Sequence, residues 1–69
     1  MAQDVQIRGD MIRLGQLLKL SGVASDGVDA KILLGEGAVT VNGEPEARRG
    51  RQLHVGDTVV VGDEELNVV

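Results

Sequence analysis

The stretch Gly37-Ala38-Val39-Thr40-Val41-Asn42-Gly43-Glu44 decides the fold that the sequence predicts. After Gly37 the spacing of apolar residues along the chain changes from a helical period to a period of two. This predicts a strand at residues 38–41 with both of its valines on one face. The Asn-Gly pair that follows favours a tight hairpin, because both residues tolerate positive φ. We therefore expect a returning strand at residues 44–47, and Pro45 limits that strand to a sheet edge.

Two helices are predicted before this hairpin, with a short strand at residues 5–8 ahead of them. Residues 11–21 favour the first helix, because most of their apolar side chains fall in one arc of a helical wheel, and Asp10 is its expected N-cap. The second helix, capped by Ser25 or Asp26, is expected to run to about Glu36, with Gly37 as its stop.

The chain after the hairpin predicts a basic loop at residues 48–52 and then two valine-rich strands, at residues 58–61 and 66–69. Gly-Asp turns precede both strands. Helices followed by mostly antiparallel strands indicate an α+β fold, with two helices packed on a small sheet. A length of 69 residues indicates a single domain over residues 1–69.

Composition narrows the classes of function. The sequence contains no cysteine and no aromatic residue, so the core must be aliphatic and no thiolate can bind a metal. A deep pocket for a small molecule is hard to build from so few core residues. No apolar run approaches the ~20 residues that span a bilayer, and the start of the chain lacks a secretory layout. We expect a cytoplasmic monomer with no cofactor, metal, membrane partner or small-molecule substrate.

Positive charge is concentrated in one segment of this acidic chain. The formal net charge is −4, yet Arg48, Arg49 and Arg51 fall within four positions and account for three of the seven lysines and arginines. Guanidinium groups bind phosphate with two donors or stack on an exposed base. The alternative is that these arginines form a solvated loop paired with Glu44 or Glu46.

The order of residues resembles the S-four RNA-binding domain, whose two helices and small sheet are called the alpha-L motif. The resemblance extends from about residue 11 to residue 61, and this chain is most similar to the small stand-alone bacterial members. The matching positions are Arg13-Leu14, Leu17-Leu18-Lys19-Leu20, Gly22, Ala30-Lys31, Gly37, Val39, Val41-Asn42-Gly43-Glu44, Gly56-Asp57, Val59 and Val61.

The resemblance implies a non-catalytic module for structured RNA, such as ribosomal RNA, that binds through its helices and the loop after the hairpin. The RNA-binding side chains that it implies are Lys19, Lys31, Arg48, Arg49, Arg51 and Arg13, and for Arg13 a structural role is the alternative. Many members begin the second helix with Ser-Arg. Here Asp26-Gly27 stands instead, so one arginine contact is expected to be missing. Without aromatic side chains, recognition is expected to depend on backbone charge and shape.

Two other classes of function were compared with RNA binding. Small acidic carrier proteins also contain Val-Asn-Gly and a late Gly-Asp, but they use a terminal Gly-Gly, whereas this sequence ends Val68-Val69 and has two helices ahead of its hairpin. An enzyme is not expected, because no Ser, His and acid set suggests a triad and no glycine-rich phosphate loop is present. The acids at residues 63–65 lack calcium-loop spacing, and we expect His54 to be a partly buried turn residue.

Overall fold

A computed structural model describes residues 2–69 as two helices and seven short strands, which confirms the α+β fold. The helices are α1 (Leu14–Leu20) and α2 (Gly27–Gly35). The strands are β1 (Ala2–Val5), β2 (Met11–Arg13), β3 (Val39–Val41), β4 (Glu44–Pro45), β5 (Gln52–His54), β6 (Thr58–Val61) and β7 (Glu64–Val68). Neither helix is long and apolar enough to cross a membrane.

Five strands form the main sheet, in the order β1-β7-β6-β3-β4. Its pairs are antiparallel except β1 with β7, which is parallel. The predicted hairpin is confirmed: Asn42 has φ 52° and Gly43 has φ 87°, the positive values that join β3 to β4. Strand β4 lies at the sheet edge as its proline predicts, although it covers only two of the four residues expected.

The core lies between the helices and the main sheet and is entirely aliphatic among the described residues. Helix α1 contributes its three leucines at residues 14, 17 and 18, and α2 contributes Ala30 and Leu34. The sheet contributes alternate valines and Leu66. On α2, Val28 and Ile32 remain 69% and 54% exposed, so the buried face of that helix is the one with Ala30 and Leu34.

The start of the first helix was wrongly predicted. Met11–Arg13 is strand β2, which pairs antiparallel with β5 and places Ile12 opposite the fully buried Leu53. The helix therefore begins at Leu14 with Arg13 as its N-cap, in place of Asp10. A partner strand some forty residues away decides this boundary, because the apolar spacing of residues 11–14 fits either structure.

The first and last strands also have other bounds than those predicted. The first strand is Ala2–Val5, because its parallel register sets Val5 against Val68, and the last strand correspondingly starts at Glu64. His54 is exposed in β5, contrary to the partly buried turn expected, because its neighbour Leu53 takes the inward position. The predicted basic loop is shorter by Gln52, the first residue of β5.

The second helix was predicted correctly, and the structure chooses between its two possible caps. The Asp26 carboxylate accepts a hydrogen bond from the backbone N–H of Asp29 at 2.8 Å, so Asp26 is the N-cap. The backbone N–H and the hydroxyl of Ser25 instead donate to the Asp29 carboxylate. The helix ends at Gly35, and Gly37 turns the chain toward β3 with φ 72°.

Candidate nucleic-acid interface

Glu46 organises the arginine-rich loop. Its carboxylate accepts hydrogen bonds from the backbone N–H groups of Ala47 and Arg48 at 3.1 and 3.2 Å. It also accepts two from the Arg48 guanidinium, at 3.1 and 3.0 Å, and one from Arg51 Nη1 at 2.8 Å. The Glu46 side chain is only 9% exposed in this setting. Of the two glutamates that the sequence offered as partners for the loop arginines, Glu46 is therefore the one that pairs. It pairs with two of the three arginines, Arg48 and Arg51.

These hydrogen bonds, above all those from the Arg48 guanidinium, hold the pKa of Glu46 well below its usual range. The same carboxylate raises the pKa of Arg48. Glu46 is therefore ionised wherever the protein is folded near neutral pH, and it offsets one of the two positive charges beside it. Arg48 remains widely exposed, so the remaining donors of its guanidinium face solvent.

The loop also completes the start of helix α1. The first N–H groups of a helix have no partner within it and must find acceptors elsewhere. Here the N–H of Leu14 donates to the carbonyl oxygen of Arg51 at 2.9 Å, and the N–H of Gly15 donates to that of Arg49 at 3.0 Å. These backbone hydrogen bonds hold the loop against the start of the helix, and they limit where the side chains of the loop can lie.

Arg49 extends away from Glu46 and across the two helices. Its Cγ lies 3.4 Å from the point where a Cβ on Gly15 would stand, and its Nη1 lies 4.0 Å from the same point on Gly27. No side-chain hydrogen bond or ion pair holds its guanidinium within residues 2–69. The Arg49 side chain therefore packs directly over Gly15, at the edge of van der Waals contact with the position of a Cβ there.

A cleft of about 380 Å³ opens between the helices and the loop, and we call it the helix cleft. Its lining residues are Arg13, Gly15, Gln16, Lys19, Gly27, Ala30, Arg49 and Gly50. Three cationic side chains thus converge on one concavity. Its wall also contains three glycines, of which Gly15 is buried, Gly27 is half-buried and Gly50 is exposed. The Arg13 Nη1 lies 3.7 Å from the Cβ position of Gly50, so Arg13 reaches the loop.

Two further hollows continue the helix cleft. One, of about 340 Å³, shares Arg49 with the cleft and adds Lys31 of α2. The other, of about 560 Å³, shares Gly50 and adds Arg48, Arg51 and His54. We call the three together the basic surface. No carboxylate lines any of them among the described residues, although the chain carries eleven acids.

The structure therefore places all six predicted side chains on the basic surface, but it divides them into two groups. Arg13, Lys19, Lys31 and Arg49 border the helix cleft or its extension, whereas Arg48 and Arg51 are engaged by Glu46. Gln16, whose side-chain oxygen accepts from the Arg13 backbone N–H at 3.4 Å, was not predicted. Gly15 was also missed, and its signal in the sequence is a glycine inside a helical pattern, which is less favourable there than alanine.

The S4 domain family profile matches residues 5–69, which is nearly the whole chain. The chain belongs to the S4 domain family. The match confirms the resemblance seen in the sequence and extends it on both sides of residues 11–61. Among residues 2–69, no group of three or more His, Cys, Asp or Glu side chains is placed to hold a metal ion.

Two relatives of this S4 domain are similar over most of their length. One, "Probable ribosome maturation protein RlbA" of Bacillus subtilis, is 51% identical over 61 residues, covering 88% of this chain and 86% of that protein. The other, "Putative RNA-binding protein YbcJ" of Escherichia coli, is 38% identical over 58 residues, covering 84% and 83%. The family and these relatives support an RNA-binding module.

The start of α2 in this S4 domain is the position where many members carry an arginine. Here Gly27 stands there, and the guanidinium of Arg49 lies close to it. The neighbouring Asp26 carboxylate is bound to the Asp29 N–H and does not line the helix cleft. A cation therefore does reach the start of the second helix, and it comes from the loop.

Proposed function

We propose that this S4 domain is a non-catalytic module that binds structured RNA, such as ribosomal RNA, by its basic surface. The observation that carries the proposal is the convergence of Arg13, Lys19 and Arg49 on a helix cleft that no carboxylate of residues 2–69 lines. In a chain of net charge −4, that surface is where a polyanion is attracted.

The geometry favours the sugar-phosphate backbone as the part of RNA that is bound. Guanidinium groups donate two hydrogen bonds to one phosphate, and the backbone at Gly27 and Gly50, which has no side chain over it, lets a strand approach closely. The sequence has no aromatic residue on which a base could stack. The cleft is then expected to recognise the shape of an RNA helix or bulge, with little readout of base sequence.

Ribosomal RNA is the target class that we propose, on the strength of the relative whose name describes ribosome maturation. A catalytic role is not proposed, because the groups on the basic surface are cations suited to binding. The carboxylate beside them, Glu46, is fully engaged by its hydrogen bonds and is a weak base.

Crosslinking in cells tests the choice of RNA. Tagged wild-type protein and a variant carrying Lys19→Glu and Arg49→Glu are irradiated, and the attached RNA is sequenced. We expect discrete sites in ribosomal RNA that are enriched in wild type over the variant. The comparison with the variant is essential because ribosomal RNA is abundant. Identical profiles from the two proteins, or wild-type sites confined to other RNAs, would contradict the proposal.

A further inference from the structure

Glu46 is an acidic residue beside the basic surface, paired with two of the arginines that border it. Phosphate is attracted by net positive charge, so an ionised carboxylate within the loop weakens that attraction. Together Glu46, Arg48 and Arg51 carry a charge of +1, where the two arginines by themselves would carry +2. Glu46 nonetheless is nearly buried and accepts hydrogen bonds from two backbone N–H groups and both arginines.

We propose that Glu46 is a positioning residue for RNA binding, which holds the loop in the one shape that delivers Arg49 to the helix cleft. This inference rests on the proposed function. It assigns Glu46 to the binding apparatus although its charge opposes binding, and it gives Arg48 and Arg51 a share in holding the shape of the loop.

The first step of the argument is the anchoring of Glu46 to the sheet. Its backbone N–H donates to the carbonyl oxygen of Val39 at 3.0 Å, and Val39 is a fully buried residue of β3. The carboxylate of Glu46 then collects the N–H groups of the next two residues. The loop therefore leaves the sheet in a fixed direction.

The second step is the closure of the loop. The Arg51 guanidinium reaches back to the same carboxylate from the far side of the loop, and the Arg51 backbone N–H donates to the carbonyl oxygen of Arg48 at 3.3 Å. Arg49 and Gly50 lie between these two points. Their backbone is thus confined on both sides, which sets the carbonyl oxygen of Arg49 within 3.0 Å of the Gly15 N–H.

The third step is the consequence for the Arg49 side chain. Among the three loop arginines, within the described residues, it is the one that makes no ion pair with Glu46. Its aliphatic stem crosses Gly15 and its guanidinium lies near Gly27. Without the hydrogen bonds to Glu46, the loop and this long side chain would sample many conformations. Fixing the side chain again on RNA binding would cost conformational entropy and weaken the affinity.

Positioning and simple electrostatics predict opposite results for Glu46→Gln. Removing the carboxylate raises the local charge by one, so electrostatics predicts tighter RNA binding. Loss of positioning predicts weaker binding. Glu44→Gln is the matched control, because Glu44 makes the same change of charge two residues away in exposed β4, where its carboxylate has no partner within residues 2–69.

The experiment measures the Kd of a fluorescein-labelled RNA hairpin for wild type, E46Q and E44Q at one low salt concentration. We expect E46Q to bind about ten-fold more weakly than wild type, in line with the loss of one charge-assisted contact. We expect E44Q to bind equally or a few-fold more tightly. Binding by E46Q that equals or exceeds that of E44Q would overturn the inference.

A double-mutant cycle separates positioning from a general loss of structure. If Glu46 acts through Arg49, then Arg49→Ala removes most of the effect of E46Q, and the two changes are strongly non-additive. Additive effects of the two changes would overturn the inference. A wild-type protein that binds no RNA would instead contradict the proposed function and leave the amide measurement below as the test of loop order.

Amide hydrogen exchange reads the loop without RNA. In E46Q the Leu14 and Gly15 amides, which donate to the loop, are expected to exchange faster, while those of Val59 and Leu66 in the sheet keep their protection. Unchanged exchange at Leu14 and Gly15 would overturn the inference. If E46Q loses protection throughout the sheet, Glu46→Asp and Glu44→Asp replace the pair at constant net charge, and equal RNA binding by these two overturns it.

Discussion

Replacing Lys19 and Arg49 together by glutamate is expected to abolish RNA binding at physiological salt while leaving the domain folded. Both side chains are exposed and line the helix cleft. Losing two charge-assisted contacts of about 1.5–3 kcal/mol each predicts a weakening of roughly 10² to 10⁴-fold, before repulsion by the new carboxylates is counted. Fluorescence anisotropy with labelled RNA gives the affinity, and a thermal melt checks the fold.

Arg8→Glu is the control for net charge in this experiment. Arg8 is exposed and borders a different hollow, with Ile7 and Met11. It changes the net charge by the same amount as Arg49→Glu alone. We expect Arg8→Glu to alter the affinity by less than about three-fold, as for a screened distant charge. Equal weakening by Arg8→Glu and Arg49→Glu would mean that the helix cleft is not the binding site.

A variant in which all three loop arginines are replaced by glutamate would be a poorer test. Arg48 and Arg51 are the partners of Glu46, so their reversal would set three carboxylates side by side in the loop. Repulsion would then displace the loop whether or not RNA binds there. Changes at Lys19 and Arg49 avoid this, because neither side chain makes an ion pair within residues 2–69.

Among the substitutions proposed for this protein, Leu53→Ala is expected to lower the free energy of unfolding most. Leu53 is fully buried in β5, at the junction between the small sheet, the loop and helix α1. Truncating a buried leucine costs about 2–5 kcal/mol. The free energy of unfolding of a domain of this size is roughly 3–10 kcal/mol in total, so much of the Leu53→Ala protein should be unfolded at 37 °C. Urea denaturation followed by circular dichroism measures the free energy of unfolding.

Val55→Ala is the control for Leu53→Ala, since the Val55 side chain is 63% exposed two residues further on. We expect its free energy of unfolding to stay within about 0.5 kcal/mol of wild type, as for surface changes generally. A Leu53→Ala protein within 1 kcal/mol of wild type would contradict the role given to β5. Because β5 continues directly from the loop, Leu53→Ala should also weaken RNA binding.

Local signals were sufficient for the hairpin and for α2. Asn42 and Gly43 carry their backbone preference within two residues, and Asp26 caps a helix through its own side chain. The strands β2 and β5 could not be found this way. Each has three residues and is stabilised by the other, which lies some forty residues away along the chain. A short apolar segment of this kind is read as helix or strand only once its partner is known.

The candidate site shows the same division. The sequence and its family resemblance indicated which side chains to consider, and all six lie on the basic surface. The loop arginines are equivalent in sequence, however, and Glu44 and Glu46 were equal candidates to pair with them. The structure distinguishes them because Glu46 is bound to β3 through Val39, while Glu44 faces solvent in the edge strand. Such a choice depends on three-dimensional register.

The salt dependence of RNA binding by the wild-type protein tests the central claim most directly. If the basic surface neutralises about four or five phosphates, log K should fall linearly with log salt with a slope of roughly −3 to −4. In Arg49→Glu the slope should be shallower by about one contact, while in Arg8→Glu it should be unchanged. No measurable binding at low salt, or an affinity that does not depend on salt, would contradict RNA binding by this surface.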